Sequence, residues 1–116
     1  MQIYSYSKCS TCRKAIKWLN SNDFDYELID IIENPPDRDL LVAAAKQLGD
    51  RKYLFNTSGI SYRKLGSKVV KAFSDDEAFQ SLVKDPKLIK RPFLVVDSEI
   101  FLVGFNESTW TSSLLK

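Results

Sequence analysis

The chain has 116 residues, of which 44% are hydrophobic and 28% are charged, and this fits one soluble domain over residues 1–116. Its formal net charge of +2 favours neither direct binding to nucleic acid nor attachment to a membrane surface. The absence of histidine excludes Ser-His-Asp and Cys-His hydrolases, and two cysteines are too few for a structural zinc site, so we expect no metal.

The first part of the chain has the pattern of a strand, a helix and a second strand. Residues 2–6 are aromatic and β-branched, residues 10–21 carry apolar side chains on one helical face, and residues 24–31 alternate before they turn apolar. Such a unit predicts a parallel pair of strands. There is no apolar signal core and no long apolar segment, which predicts a cytoplasmic protein.

A helical insertion is predicted over about residues 37–88. Asp37 is a suitable N-cap for the first of its helices, and Gly49 is a suitable end. Ser74 opens a capping box for the last one. The predicted helices cover residues 40–48, 61–65 and 74–84. On the last of these we expect three inward side chains, Phe79, Leu82 and Val83.

The last part of the chain resembles a β-hairpin followed by a short helix. Pro92 introduces the apolar run 93–96, and residues 100–103 return as an antiparallel partner. Asn106 is a suitable N-cap for the final helix. The predicted fold is therefore α/β, with a four-stranded mixed sheet, flanking helices and the helical insertion between its β-α-β and β-β-α halves.

Both cysteines lie where the first strand gives way to the first helix. Residues three apart on a helix are neighbours, so Cys9 and Cys12 are close enough to form a disulfide. Residues 1–22 contain four of the basic residues and none of the acidic ones. Free N–H groups at a helix start and nearby cations favour a thiolate, so we interpret Cys9 as a nucleophile and Cys12 as its resolving thiol. The alternatives are an inert half-buried Cys9 and a Cys12 that only fills the core.

Four segments carry a family resemblance. A thiol at a strand–helix corner and a hairpin entered through a proline together describe a thioredoxin fold. More narrowly, the chain resembles the ArsC/Spx family of arsenate reductase-like, YffB-like and Spx-like proteins. The segments are Cys-Ser-Thr-Cys-Arg-Lys-Ala at 9–15, Asn-Thr-Ser-Gly-Ile-Ser-Tyr-Arg-Lys-Leu at 56–65, Lys-Arg-Pro-Phe-Leu-Val-Val-Asp at 90–97 and Val-Gly-Phe-Asn-Glu at 103–107.

The resemblance implies an anion-binding site around the nucleophile. In the arsenate reductases a cysteine at the position of Cys9 attacks arsenate, and three arginines hold the oxyanion. Arg63 and Arg91 match two of these arginines, and the third falls near Gly104. The resemblance also implies a cis peptide before Pro92. The remaining residues expected at the site are Lys8, Ser10 and Thr11.

The resemblance leaves several functions open. The leading one is a thiol–disulfide oxidoreductase that holds no bound cofactor and takes electrons from an external thiol reductant, either glutathione with glutaredoxin or thioredoxin. The alternatives are an Spx-type redox-switched regulator that binds the RNA polymerase alpha subunit, and a glutaredoxin-coupled arsenate reductase. A domain that keeps the fold without the chemistry is a fourth. A monomer is expected.

Overall fold

The computed structural model describes residues 1–115 and contains one four-stranded sheet. Its central strand β1 pairs in parallel with β2 and antiparallel with β3, and β3 pairs antiparallel with β4, so the spatial order is β2-β1-β3-β4. The predicted mixed sheet and the predicted parallel first pair are confirmed. The strands are β1 (Gln2–Ser5), β2 (Glu27–Asp30), β3 (Phe93–Val96) and β4 (Ile100–Val103).

Within residues 1–115, six α-helices and two 3₁₀ turns occupy the segments between and after the strands. The helices are α1 (Ser10–Ser21), α2 (Arg38–Leu48), α3 (Ile60–Leu65), α4 (Ser67–Ala72), α5 (Asp75–Lys84) and α6 (Glu107–Leu114). The 3₁₀ turns are Arg51–Leu54 and Pro86–Leu88. The sequence did not predict α4 or either 3₁₀ turn. No helix in the described part of the chain is long and apolar enough to cross a bilayer.

The helix ends follow the predicted capping chemistry. Asp37 and Asn106 each accept a backbone N–H from the first turn of the helix that they precede. Ser74 and Glu77 form a reciprocal capping box at the start of α5. Gly49 ends α2 with a φ of 97°, which glycine adopts without the steric cost that a Cβ brings. These four local predictions are confirmed.

The core lies on both faces of the sheet. One hydrophobic cluster includes Phe93 and Phe79 with residues of α2, and the other includes Leu94 with Leu19 and Trp110 of α1 and α6. Adjacent residues of β3 thus enter opposite clusters, as the pleat requires. This arrangement places the N-terminus of α1 at the edge of the sheet where β1 ends.

The prediction that Val83 belongs to the core was wrong. Val83 is 43% exposed, whereas Ala78, Phe79 and Leu82 are buried. Each helical residue advances the side chain by about 100°, so Val83 lies roughly a quarter turn away from the centre of that buried stripe. The side chain consequently points to solvent along the flank of α5.

Candidate functional site

Cys9 is the N-cap residue of α1. Its backbone N–H donates to the carbonyl oxygen of Tyr6 at 3.0 Å, which closes the turn that follows β1. Its Sγ accepts the backbone N–H of Cys12 at 3.2 Å. The sulfur therefore takes the place that a serine or aspartate oxygen fills at an ordinary helix start, where N–H dipoles favour negative charge. The predicted position at the strand–helix corner is confirmed.

The two thiols lie in different environments. Cys9 is half-buried, Cys12 is fully buried, and both are free. Burial raises the pKa of the Cys12 thiol to about 11, and a side-chain hydrogen bond to Cys9 acts in the same direction. Hydrogen bonds to the Tyr6 backbone and the Ser5 side chain act weakly against this rise in pKa. Cys12 therefore keeps its proton near neutral pH.

Pro92 follows a cis peptide bond, as the resemblance implied. The proline is buried, and its carbonyl oxygen accepts the N–H of Gly104 at 2.9 Å. This bond joins the entrance of β3 to the exit of β4. The beginning of the hairpin is thereby fixed at the same end of the sheet as the cysteine turn, because Tyr4 near the end of β1 pairs with Phe93.

Arg91 lies against the cysteine turn through an aromatic ring. Its guanidinium carbon is 4.8 Å from the ring centroid of Tyr6, and its Nη1 donates to the carbonyl oxygen of Lys87 at 3.4 Å. Tyr6 is the residue whose carbonyl holds Cys9. Sequence reasoning placed Tyr6 only in a strand, and no local pattern indicated its contact with an arginine far along the chain.

Arg63 is placed on α3, in the insertion. Its Nη2 donates to the carbonyl oxygen of Ser58 at 2.8 Å, so its guanidinium secures the turn that precedes its own helix. Within residues 1–115, no hydrogen bond joins Arg63 or Arg91 to either cysteine. Among residues 1–115, contacts link only one of the two predicted anion-binding arginines to the thiol turn, and this is Arg91, through Tyr6.

The other predicted site residues are close neighbours of Cys9 in the sequence. Lys8 and Ser10 are exposed, and Thr11 is half-buried in the first turn of α1. Arg13 donates from Nη1 to the carbonyl oxygen of Ser7 at 2.9 Å and so braces the turn from the helix side. This end of α1 carries cations and free N–H groups, which suits an anionic ligand.

Gly104 lies near the position where the resemblance implies the third arginine of the reductases. Its φ is 66°, and a Cβ built there would lie 2.9 Å from Cε of Lys90. The side chain of Lys90 thus crosses the glycine. An arginine at this position would have a strained backbone and would displace the lysine. The sequence shows the glycine, but it gives no sign that Lys90 covers it.

A half-exposed N-cap cysteine, a buried partner one turn along and a cis-proline before β3 define a thioredoxin-fold protein with a Cys-x-x-Cys site. The model of the ArsC family matches residues 4–112, and the chain belongs to this family. The predicted fold and the predicted family are both confirmed.

The proteins to which this chain is similar include an uncharacterized protein, a transcriptional regulator and a possible arsenate reductase. The chain is 44% identical over 109 residues to the uncharacterized protein YusI of Bacillus subtilis, covering 92% of each chain. It is 31% identical to the global transcriptional regulator Spx of Streptococcus mutans, covering 90% of this chain and 76% of Spx. A crystal structure described as a possible arsenate reductase from Streptococcus mutans superposes with a TM-score of 0.83 at 44% identity, covering 90% of each chain.

Proposed function

We propose that this protein is a thiol–disulfide oxidoreductase in which Cys9 is the nucleophile and Cys12 is the resolving thiol. The observation that carries the proposal is the asymmetry of the pair. The sulfur of Cys9 is accessible and accepts an N–H at a helix start, while the thiol of Cys12 is buried, with its pKa raised by burial to about 11. One thiol is therefore suited to attack a substrate, and the other is held protonated beside it.

The reaction proceeds in two exchanges. The Cys9 thiolate attacks one sulfur of a substrate disulfide, forms a mixed disulfide and releases the other substrate sulfur as a thiolate. Cys12 then loses its proton and attacks the sulfur of Cys9, and the second substrate thiolate leaves and takes up that proton. The protein ends with one Cys9–Cys12 disulfide, and the substrate disulfide has gained two electrons. An external thiol, glutathione with glutaredoxin or thioredoxin, returns two electrons to the protein.

Arg91 is proposed to hold an anionic part of the substrate. Its guanidinium stacks on Tyr6, next to the turn that carries Cys9, and its remaining N–H groups suit a carboxylate. Arg63 is proposed as a second anion-binding group that is released from the Ser58 carbonyl when substrate binds. Lys8, Ser10 and Thr11, the sequence neighbours of Cys9, are proposed to contribute to anion binding as well.

The test is consumption of NADPH coupled to glutathione and glutaredoxin, and separately to thioredoxin, with a model disulfide as substrate. The wild-type protein is expected to turn over, and Cys9→Ser is expected to be inactive. Air oxidation should remove two hydrogens from the wild type and none from Cys12→Ser. Cys9 should also alkylate faster than a model thiol at about pH 6.5. Equal alkylation rates together with no turnover would refute the proposal.

Arsenate reduction is a second candidate, favoured by the structural likeness to a possible arsenate reductase. The region of Gly104 argues against it, because the resemblance implies the family's third arginine near this glycine, and Lys90 covers the glycine. We expect the same coupled assay to consume much less NADPH with arsenate than with a disulfide. A rate with arsenate equal to or above the disulfide rate would reverse this order.

A redox-switched regulator is a third candidate, favoured by the likeness to Spx. In this case Cys9 and Cys12 would act as a switch, and the partner would be the RNA polymerase alpha subunit. Capture of that subunit by either the oxidised or the reduced protein, combined with no turnover of disulfides, would favour the regulator. Turnover without capture would favour the enzyme.

A further inference from the structure

A large cleft lies away from the cysteines. Its volume is about 1040 Å³, and it is lined by residues of α2, the 3₁₀ turn at Arg51–Leu54, α4, α5 and β4. Neither cysteine lines it, and neither do Arg63 and Arg91. The proposed oxidoreductase chemistry therefore does not account for it. Volumes of several hundred to about 1000 Å³ are typical of small-molecule sites.

The floor of the cleft is apolar and aromatic. Phe55, Val70 and Phe79 are buried there, and the ring of Tyr62 meets Phe55 edge-on with centroids 6.2 Å apart. Tyr53 stands at the cleft and is 48% exposed. Flat rings around a concave surface suit a planar apolar group.

The cleft is also rich in cations. Five basic side chains line it against two acidic ones. Arg51 is already occupied, since its Nη1 meets Asp75 at 3.2 Å and its Nη2 donates to the Phe73 carbonyl at 2.6 Å. The five basic residues are Lys46, Arg51, Lys52, Lys71 and Lys90.

Most of these lysines have no carboxylate to neutralise them. The ammonium of Lys52 lies 5.3 Å from the ring centroid of Tyr53. Within residues 1–115, no carboxylate lies within 4.0 Å of Lys46, Lys71 or Lys90. These three lysines come from different segments of the chain but line the same cleft. The positive charge around the cleft is therefore not simply one charged face of one helix. Converging cations above an aromatic floor raise the local concentration of anions.

We propose that this cleft binds a small molecule that carries a planar apolar group and at least two negative charges. The planar group lies among Tyr53, Phe55 and Tyr62, and the charged group meets Lys46 and Lys71 at the rim. Lys90 joins them from the β4 side, where its side chain crosses Gly104. A ligand here would not touch the thiols, since neither cysteine lines the cleft.

The test uses the reduced, isotope-labelled wild-type protein and three probes in an NMR titration. The probes are 1-naphthyl phosphate, which has both features, 1-naphthol, which has only the ring, and inorganic phosphate, which has only the charge. We expect 1-naphthyl phosphate to bind about tenfold or more tightly than either fragment. Its shifts should map to residues 42–57, 62, 70–79, 90 and 103. Equal affinity for inorganic phosphate or for 1-naphthol would overturn the proposal, as would shifts confined to residues 7–13.

A charge-reversal pair provides the matched control. Lys71 and Lys68 both lie exposed on α4, but Lys68 does not line the cleft. In the Lys46→Glu background, adding Lys71→Glu is expected to weaken binding by a further factor of about ten, and adding Lys68→Glu by less than about twofold. Similar losses in both variants would mean that only the general charge of the surface matters and would refute the site. The alkylation rate of Cys9 should stay unchanged in all three variants, which separates this test from that of the oxidoreductase proposal.

Discussion

Arg91 stacks on Tyr6, with its guanidinium carbon 4.8 Å from the ring centroid, and Tyr6 in turn holds the backbone N–H of Cys9 at 3.0 Å. A residue at the entrance of β3 is thus connected to the turn that carries the nucleophile. The Nη1 contact of Arg91 with the Lys87 carbonyl is long at 3.4 Å, so the guanidinium keeps N–H groups that can bind an anion.

Arg91→Ala is expected to reduce turnover of charged disulfides selectively. Removing a guanidinium that pairs with a carboxylate should lower kcat/KM for oxidised glutathione by about tenfold, or about 1.4 kcal/mol. For neutral hydroxyethyl disulfide the loss should stay below about threefold, because no carboxylate is held. Arg38→Ala is the control, since Arg38 pairs with Asp76 on the surface. Equal losses for both disulfides would show that Arg91 does not recognise charge.

The buried thiol of Cys12 should make the stability of the reduced protein fall in alkaline solution. Its pKa is raised from 9.0 to about 11, mainly by burial, so the unfolded chain loses this proton at lower pH than the folded one. The stabilisation by the protonated thiol is complete below the unfolded pKa and is lost as pH rises from about 9 to about 11. Two units of pKa correspond to roughly 2–3 kcal/mol as an upper estimate.

The measurement is urea unfolding of wild type and Cys12→Ala, both kept reduced, at several values between about pH 7.5 and pH 11. Alanine cannot titrate, and the other titrating groups are common to both proteins, so they cancel in the difference. The advantage of the wild type should shrink over this range. A difference that stays constant with pH would contradict the buried-thiol explanation.

Local chemistry made part of this structure predictable. Helix caps depend on residues only a few positions apart, which is why Asp37, Ser74 and Cys9 were placed correctly from their neighbours. Helix α4 was missed because it has only six residues, between Gly66 and Phe73, which are too few to show a period. Its place is set by tertiary contacts such as that of Val70 with the core.

The long-range parts of the site have no local sequence signal. The stack of Arg91 on Tyr6 joins residues at opposite ends of the chain, and the passage of Lys90 over Gly104 depends on how the hairpin leaves the sheet. The cleft is assembled from segments between α2 and β4 that no periodicity brings together. Only the resemblance to the family indicated Pro92 and Arg91 as neighbours of the thiol.

The side chain of Gln47 hydrogen-bonds to the backbone of the edge strand β4. Its removal should lower the free energy of unfolding. Its Nε2 donates to the carbonyl oxygen of Phe101 at 3.3 Å, and its Oε1 accepts the Phe101 N–H at 3.0 Å. β4 is an edge strand, so this amide takes the place of a neighbouring strand. Gln47→Ala should lower the free energy of unfolding by about 1 kcal/mol in urea denaturation, while Gln80→Ala on α5 should change it by less than about 0.5 kcal/mol. A loss equal to that of Gln80→Ala would show that water replaces the amide without cost.

Gly104→Ala separates the backbone cost of a side chain at position 104 from the cost of its contact with Lys90. The φ of 66° should cost alanine about 1–2 kcal/mol, and the new Cβ would meet Cε of Lys90 at 2.9 Å. The end of a lysine side chain moves easily, so the backbone is expected to set most of the loss. Lys90→Ala should therefore not rescue it, and Gly104→Ala should cost the same within about 0.5 kcal/mol in both backgrounds. Recovery of stability in the double variant would show instead that the lysine contact sets the cost, and an arginine at position 104 would then be excluded by Lys90 and not by the backbone.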